Sequence, residues 1–447
     1  MKVLLVLGDG MADEPIPGLG GRTPLEAART PNFDRIARDG ACGMVRTIPP
    51  GFEAGSDIAN LSLLGYDPRR YYTGRGPLEA ASMGVTLGPG DIAYRCNLVT
   101  VTDGVMEDFS AGHIPSDEGA PLIQAVAAGV EGVSLRAGIS YRNLMVIPKG
   151  GGAVTTPPHD IVGERIEPHL PEGRDAPLLL RVMERSREIL RDHPVNRDRI
   201  ARGQRPATMI WPWSGGKAPD LPSFRELHGV TGAMISAVDL LNGIARIAGM
   251  EVIRVPGATG YLDTDYDAKA RYAIQALERF DFLYLHVEAP DEAGHLGSVE
   301  EKVKAIERVD GMVGTIMEGF EGIIAVLPDH PTPIRLKTHT ADPVPFVVRG
   351  ATFPLRGTEL EHGEAVRGAT CDVSIGKRSR STTKWCEFPP RGTEQEHRET
   401  VRLRRDGCNR LTEREAARGG LGLLEAGSFL PMLLLRRPRT GEARDRT

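Results

Sequence analysis

Residues 282–295 read FLYLHVEAPDEAGH, and this stretch predicts both a fold class and a ligand site. Phe282–Val287 is a nearly unbroken apolar run with aromatic and β-branched members, which is typical of a buried strand in a parallel sheet. Pro290 ends the strand, and Asp291 and His295 follow it four residues apart, which puts both on one face of a helical turn. A carboxylate and an imidazole at the carboxyl end of a strand form half of a divalent metal site, although such a pair alone is more often a solvated turn.

The composition is that of a globular protein with two domains or one large domain. The chain has 447 residues, of which 40% are hydrophobic and 26% charged, and these fractions exclude wholesale disorder. The formal net charge is −5, so we expect neither nucleic acid nor a membrane surface as a partner. We find no apolar run of the length of a signal peptide or a membrane span, and the five cysteines do not suggest a disulfide framework. These features together favour a cytoplasmic protein.

Acids and histidines recur at the ends of other predicted strands. Asp9 follows the first apolar run and lies between two glycines, which allow close approach of the backbone. Asp329 and His330 follow the apolar run Ile323–Leu327, and His339 precedes a last strand. Each of these residues alone could be a turn residue. Their repeated position at strand ends predicts a shared site at one edge of the sheet.

Ser56 lies at the start of a predicted helix in the stretch PPGFEAGSDIANL, residues 49–61. The amino end of a helix is a favourable place for phosphate, but a serine there is most often only an N-cap. As a nucleophile it would need activation, which a neighbouring divalent ion can supply. With this hydroxyl, the three carboxylates and three imidazoles suffice for two divalent ions of the manganese, zinc or magnesium type. Spacing alone leaves a phosphoryl- or sulfuryl-transfer site and unrelated turn residues equally open.

From about residue 91 the sequence pattern changes to short strands alternating with helices. We interpret residues 91–228 as an α/β domain inserted into the first one. Arg95, His113 and Arg142 lie in it and would suit an anionic substrate, although each is more often a surface charge. Beyond it, residues 233–248 carry an apolar stripe that predicts a helix.

Several motifs, in a consistent order over residues 1 to about 350, give the chain a family resemblance. They are LVLGDGMAD (5–13), GSDIANLSLLGYDP (55–68), TGRGPLEAASMGV (73–85), YRCNLVTV (94–101), GATGYLDTDYDAKARYAIQAL (257–277), HVEAPDEAGHLG (286–297), PDHPTP (328–333) and HTADPVPF (339–346). The sequence resembles the alkaline phosphatase superfamily, and within it the archaeal-type 2,3-bisphosphoglycerate-independent phosphoglycerate mutases. The resemblance implies an α/β fold with an alkaline-phosphatase-like three-layer core at 1–90 and 229–350, the smaller inserted α/β domain at 91–228, and a tail at 411–447 that closes the core.

The resemblance also implies an activity, interconversion of 3- and 2-phosphoglycerate in glycolysis without 2,3-bisphosphoglycerate, through a phosphoserine. That phosphoserine would form on Ser56, which would also be a metal ligand. One divalent ion would be held by Asp291, His295 and His339, the other by Asp9, Ser56, Asp329 and His330, and the substrate by Arg95, His113 and Arg142. The partner would be a small phosphorylated anion, and an oligomer is possible. A homoserine-kinase-type phosphotransferase and a catalytically altered relative stay open as alternatives.

The resemblance ends after residue 350. FPLRGTELEH at 353–362 recurs as FPPRGTEQEH at 388–397, within a polar stretch rich in lysine, arginine and serine. We interpret residues 351–410 as a divergent, disordered insertion. Its cysteines and histidines lack the tight spacing of a zinc site, so a metal role for them is disfavoured.

Overall fold

The computed structural model of the protein describes residues 2–350 and 408–434. The predicted insertion at 351–410 therefore lies outside the described residues except for its last three, and so does the end of the predicted tail. The strands in the described part are β1 (Val3–Gly8), β2 (Ala41–Arg46), β3 (Ile92–Thr102), β4 (Val105–Asp108), β5 (Ser134–Arg136), β6 (Arg142–Ile147), β7 (Met209–Gly216), β8 (Gly232–Ile235), β9 (Glu251–Val252), β10 (Phe282–Val287), β11 (Ile323–Leu327), β12 (Val344–Arg349) and β13 (Leu423–Glu425).

The α-helices in the same residues are α1 (Pro24–Ala27), α2 (Pro31–Asp39), α3 (Ser56–Leu63), α4 (Pro68–Tyr71), α5 (Arg75–Ser82), α6 (Ser116–Gly129), α7 (Ala176–Arg191), α8 (Pro194–Ala201), α9 (Phe224–His228), α10 (Asp239–Ile247), α11 (Tyr266–Arg279), α12 (Ala289–Leu296), α13 (Val299–Gly319), α14 (Glu413–Ala416) and α15 (Ala426–Leu434). Short 3-10 helices lie at Pro17–Leu19, Pro158–Ile161 and Glu167–His169. No described helix has the length and apolar character needed to cross a membrane.

The larger sheet has eight strands in the order β13-β2-β12-β11-β1-β10-β8-β9. Its middle strands β11, β1, β10 and β8 are parallel, and all residues of these four strands are buried. Val3 pairs with both Phe282 and Ile323, so the carboxyl ends of β1, β10 and β11 align at one edge. This register explains why acids that follow three different strands converge on one place.

Helices cover this sheet and supply its apolar core. Side chains of α2, α11 and α13 pack with the buried residues of β1, β10 and β11 in one hydrophobic cluster. On α13 the buried positions recur with helical spacing, including Ile306, Val309, Val313 and Ile316. The predicted α/β fold is confirmed.

The predicted helix at 233–248 is wrong at its amino end. Residues 232–235 form strand β8 between β10 and β9, and α10 begins only at Asp239. The four residues of β8 are completely buried and apolar, so their sequence fits a buried strand as well as one turn of a helix.

The second sheet is antiparallel and is built entirely from strands between residues 92 and 216 in the described chain. Its long strand β3 pairs with β4, β6 and β7, and a separate hydrophobic cluster that includes Leu98, Leu122, Met145 and Ile210 packs against it. Helix α5 contacts both β3 and α10. The assignment of residues 91–228 as an inserted domain stays a prediction.

The described C-terminal residues join the larger sheet. Strand β13 pairs in parallel with β2, and Cys408 forms a disulfide with Cys42 of β2. The expectation that the cysteines do not pair is therefore wrong for these two, because partners 366 residues apart leave no sign in the local spacing. Cys96 is buried and is not part of a disulfide. Cysteine usage therefore does not indicate a reducing compartment.

Candidate active site

Asp291 and His295 lie on α12, directly after the central strand β10. His295 Nε2 is 3.1 Å from Asp291 Oδ2, and His339 Nε2 is 3.5 Å from Asp291 Oδ1 and 3.0 Å from His295 Nε2. His295 Nδ1 is 2.9 Å from the carbonyl oxygen of Lys337, which can only accept, so Nδ1 carries the proton and Nε2 is left for a ligand. The predicted ligands of the first ion therefore lie together.

Asp9, Asp329, His330 and Ser56 form a second group beside the first. His330 Nε2 lies 3.0 Å from Ser56 Oγ and 3.5 Å from a carboxylate oxygen of both Asp9 and Asp329. The His330 and His339 rings stack with their centroids 3.9 Å apart, so the two groups adjoin. Their potential ligand atoms fall into two sets within 4.8 Å, namely Asp9, Asp329 and His330, and Asp291, His330 and His339.

The donor set fits divalent cations. Asp9 Oδ1 is buried without a hydrogen-bond partner among the described residues. Burial raises the pKa of Asp9 well above its usual value, and the charges of Asp329 and Asp291 add to this effect. Asp9 is therefore repelled by two neighbouring carboxylates, and bound cations would balance this negative charge. Oxygen and imidazole donors without cysteine are the ligands that Mg²⁺, Mn²⁺ and Zn²⁺ take.

The histidines of the site differ in their protonation. A hydrogen bond to Asp291 raises the pKa of His295 to about 9, whereas burial lowers the pKa of His330 to about 4. Burial opposes ionisation of Asp291, but the hydrogen bonds from His295 and His339 outweigh it and hold the pKa of Asp291 well below its usual value. His330 is thus neutral near pH 7, and an ion at His295 must displace a proton.

The turn after β1 brings backbone close to this site. Gly10 has a φ of +61°, and a Cβ there would lie 2.6 Å from both Asp291 Oδ1 and Thr332 Oγ1. Its amide donates to Asp329 Oδ1 at 3.2 Å. Glycine at position 10 is therefore required both by the backbone conformation and by the space that the acids occupy.

Asn60 connects the serine to the acids and was not singled out by the sequence analysis. Its Nδ2 donates to the carbonyl oxygen of Ser56 and to Asp329 Oδ2, both at 2.8 Å, and its Oδ1 accepts from the Tyr284 hydroxyl. The i,i+4 spacing of Ser56 and Asn60 on α3 was the available signal. Asn60 ties the first turn of α3 to the acid at the end of β11.

The basic residues predicted for the substrate belong to one row of ring contacts. The Arg95 guanidinium lies 4.5 Å from the centroid of the Trp213 ring, and Trp213 packs against His159. Phe109 contacts both His159 and His113, and Tyr141 contacts His113 and the Arg142 guanidinium. Arg95 also forms an ion pair of 2.8 Å with Glu79. The structure thus joins Arg95, His113 and Arg142 through these rings.

Arg75 lies in the motif TGRGPLEAASMGV and extends this row to helix α3, but it was not among the predicted site residues. Its Nε donates to Asp57 Oδ2 at 2.9 Å, and the Tyr72 hydroxyl donates to the same oxygen at 2.6 Å. Its guanidinium is 5.9 Å from the Trp213 ring. Burial, together with the charges of Arg75 and Arg142, lowers the pKa of Arg95, as expected where cations gather. The charge of Arg142 also acts on Glu292, next to Asp291.

Comparison with known proteins gives a consistent result. A sequence model of the 2,3-bisphosphoglycerate-independent phosphoglycerate mutase family matches residues 37–196. A protein of that name from Methanothrix thermoacetophila is 54% identical over 357 residues, which cover 78% of this chain and 91% of the relative. A probable mutase of this kind from Geobacter sulfurreducens is 52% identical over 391 residues, with coverage of 85% and 98%.

Two solved structures also match over nearly their whole length. The PH0037 protein from Pyrococcus horikoshii has a TM-score of 0.76 and 29% identity, covering 98% of this chain and 99% of the other. The cofactor-independent phosphoglycerate mutase from Thermoplasma acidophilum has a TM-score of 0.60 and 26% identity, with coverage of 97% and 99%.

Proposed function

The chain belongs to the family of 2,3-bisphosphoglycerate-independent phosphoglycerate mutases, and we propose the route by which its residues interconvert 3- and 2-phosphoglycerate. The reaction moves a phosphoryl group between two oxygens of one glycerate. The observation that carries the proposal is the Ser56 hydroxyl, 3.0 Å from His330 Nε2 and beside the buried acids Asp9 and Asp329.

Two groups of side chains would hold two divalent ions. The ligands would be Asp291, His295 and His339 for one ion, and Asp9, Ser56, Asp329 and His330 for the other. When bound, the ions favour loss of the Ser56 proton and stabilise negative charge on the phosphoryl oxygens. The nitrogen and oxygen donors suit Mn²⁺, Mg²⁺ or Zn²⁺.

In the first half-reaction, Ser56 Oγ attacks the phosphorus of 3-phosphoglycerate in line with the departing oxygen. The bond between phosphorus and the 3-oxygen breaks, the 3-oxygen takes up a proton in exchange for the one that Ser56 Oγ loses, and Ser56 becomes a phosphoserine. Asn60 holds the Ser56 carbonyl, and the first amides of α3, which begins at Ser56, would donate to the transferred group.

In the second half-reaction, the glycerate turns within the site and its 2-hydroxyl attacks the phosphoserine. The bond to Ser56 Oγ breaks, and 2-phosphoglycerate forms while the serine is regenerated. We assign the carboxylate and phosphate of the substrate to Arg75, Arg95 and Arg142, since guanidinium groups bind both by paired hydrogen bonds. His113 lines the same row of rings. Retention of the glycerate explains why no free bisphosphoglycerate is needed.

Ser56→Ala tests this proposal. The variant should lose mutase activity completely, because the acceptor oxygen is gone, while Ser62→Ala should keep it. Ser62 lies on the same helix and donates only to the carbonyl of Ile58 in its own helix, so it controls for loss of a buried hydroxyl. Wild-type protein incubated with Mn²⁺ and 3-phosphoglycerate should carry one phosphate on the peptide containing Ser56, detected by mass spectrometry. Full activity of Ser56→Ala would refute the proposal.

The relatives support the mutase over the homoserine-kinase alternative and over a catalytically altered relative. We propose that the binding partner in turnover is the small phosphorylated anion, with the two divalent ions as cofactors. The cytoplasmic location and the possible oligomer stay predictions.

A further inference from the structure

Behind the second group of acids lies a buried row of charged side chains that the proposed reaction does not use. Lys269 on α11, Glu288 after β10 and His286 within β10 are buried, with at most 3% of their surface exposed. Lys269 Nζ donates to Glu288 Oε2 and to the carbonyl oxygen of His286, both at 2.8 Å. His286 Nδ1 lies 3.2 Å from Glu288 Oε1.

Glu288 is held from several sides. Besides Lys269 and His286, the Ala237 amide donates to its Oε1 at 2.8 Å and the Ser236 hydroxyl at 3.2 Å. A carboxylate so fixed sets the ring of His286 in one orientation, with Nδ1 toward Glu288. The other ring nitrogen, Nε2, then points away from this row.

His286 Nε2 faces the acids of the second group. It lies 3.3 Å from Asp9 Oδ2 and 4.0 Å from Asp329 Oδ2, and among the described residues it has no hydrogen bond of good geometry. Asp9 Oδ1 is likewise without a partner on the side of Ser56 and His330. Asp9 Oδ2 therefore faces His286, whereas Asp9 Oδ1 faces His330.

A purely structural role does not account for this row. Burying an ion pair such as Lys269 and Glu288 costs desolvation energy that apolar side chains of similar volume would not. All three residues lie at the carboxyl end of β10 or pack on it, within two contacts of Asp9. A row that ends on a carboxylate of the active site is suited to orient that carboxylate.

We propose that Lys269, Glu288 and His286 form a positioning row that fixes Asp9 so that its Oδ1 is presented to the second divalent ion. This inference rests on the proposed function, since it requires an ion between Asp9, Asp329 and His330. It assigns no step of the phosphoryl transfer to the row. The row would therefore affect the affinity for the ion at Asp9 and not the affinity for the ion at Asp291.

Isothermal titration of Mn²⁺ into the ion-free full-length protein tests the row. Wild type should bind two ions, and His286→Leu should raise the Kd of one of them about 10- to 100-fold while the other is unchanged. The kcat should fall with the affinity of that site, whereas the KM for 3-phosphoglycerate should change little. His286→Gln, which keeps an N–H near the position of Nε2, should restore most of the affinity.

Thr231→Val is the matched control. The Thr231 hydroxyl donates to Asp281 at 2.8 Å, and these two residues precede β8 and β10, at the end of both strands opposite to the row. This substitution should lower thermal stability without changing either Kd. Should His286→Leu fail to fold, the double variant Lys269→Met with Glu288→Gln removes both buried charges at once, and it should weaken the same single site.

The outcomes separate the row from the proposed function. A wild-type isotherm in His286→Leu or in the double variant, or a His286→Gln variant as weak as His286→Leu, would overturn the positioning row alone. A wild-type protein that binds no Mn²⁺ and does not turn over 3-phosphoglycerate would overturn the proposed function and the row with it.

Discussion

Thr332 lies between the two groups of proposed metal ligands. Its hydroxyl donates to Asp291 Oδ1 and lies 3.3 Å from His330 Nδ1, and its carbonyl accepts from Lys302 Nζ at 2.8 Å. Lys302 is itself buried and paired with Asp13 at 2.7 Å. The position of Asp291 therefore depends on a hydroxyl that comes from the loop after β11.

Replacing Thr332 by valine keeps the shape of the side chain and removes this hydroxyl. Asp291 then loses a donor, and we expect the Kd for Mn²⁺ at the site of Asp291 to rise about 10- to 100-fold. Thr332→Ser retains the hydroxyl and should bind close to the wild-type level, as measured by calorimetric titration. Equal losses in both variants would mean that the methyl group, not the hydroxyl, is what matters.

At the scale of single residues, the sequence predicts site residues that directly follow strands. It does not predict residues that would act on the site through a neighbouring side chain. Asp9, Asp291 and Asp329 were recognisable because parallel strands carry their next residues to a common edge. His286 was not, because it lies inside an apolar strand and its role depends on Glu288 and Lys269. No periodicity in the sequence indicates such a contact.

Helix α14 attaches the described C-terminal residues through Glu413. Its Oε2 accepts from the Thr23 hydroxyl at 2.7 Å, and its Oε1 from the Asp13 amide at 3.4 Å. Burial raises the pKa of Glu413 to about 7 from an ordinary value of 4.5. The folded chain therefore keeps this carboxyl protonated at a pH where the unfolded chain has released the proton.

The sign of the effect on stability follows from this difference. Between about pH 4.5 and 7 the unfolded chain binds fewer protons at Glu413 than the folded chain, so the free energy of unfolding falls as the pH rises. Glu413→Gln removes the titration. Relative to wild type, we expect the free energy of unfolding of the variant to rise by about 2 kcal/mol from pH 5 to pH 8, after allowance for the partial exposure of Glu413.

Urea unfolding of both proteins at the two pH values measures the gain. The difference between the proteins cancels every other group that titrates in the range. If the two pH profiles run parallel, Glu413 is ionised in the folded chain and its contact with Thr23 is an ordinary ionic hydrogen bond.

At the scale of elements, length decided what the sequence could predict. The six-residue strand β10 is long enough to show a continuous apolar run, and the 21-residue helix α13 is long enough to show buried residues at helical spacing. Strand β8 has only four residues, and the apolar pattern that predicts the following helix includes it. The pairing of β13 with β2 depends on chain segments about 380 residues apart. The disulfide between Cys42 and Cys408 escaped prediction for the same reason.

At the scale of the whole molecule, the fold brings together acids that repel each other. Asp9, Asp291 and Asp329 come from three separate parts of the chain, and they are buried at one edge of the sheet. Asp9 Oδ1 has no hydrogen-bond partner in the described part of the chain, and the pKa of Asp9 is raised. Stability and the proposed function therefore place opposite demands on this carboxylate: repulsion disfavours it in the ion-free chain, whereas the proposed second ion would require it as a ligand.

Asp9→Asn should reverse the order of thermal stability with the metal content. In EDTA the variant should melt at or above the temperature of wild type, because the repulsion of Asp9 by Asp329 and Asp291 is removed. With Mn²⁺ at 100 times Kd, each occupied site contributes about 2.7 kcal/mol to the stability of wild type, whereas the variant keeps only the site of Asp291. Calorimetric scans with EDTA and with Mn²⁺ should therefore cross over between the two proteins. An equal gain from Mn²⁺ in both would show that Asp9 holds no ion, and the second site would have to be built without it.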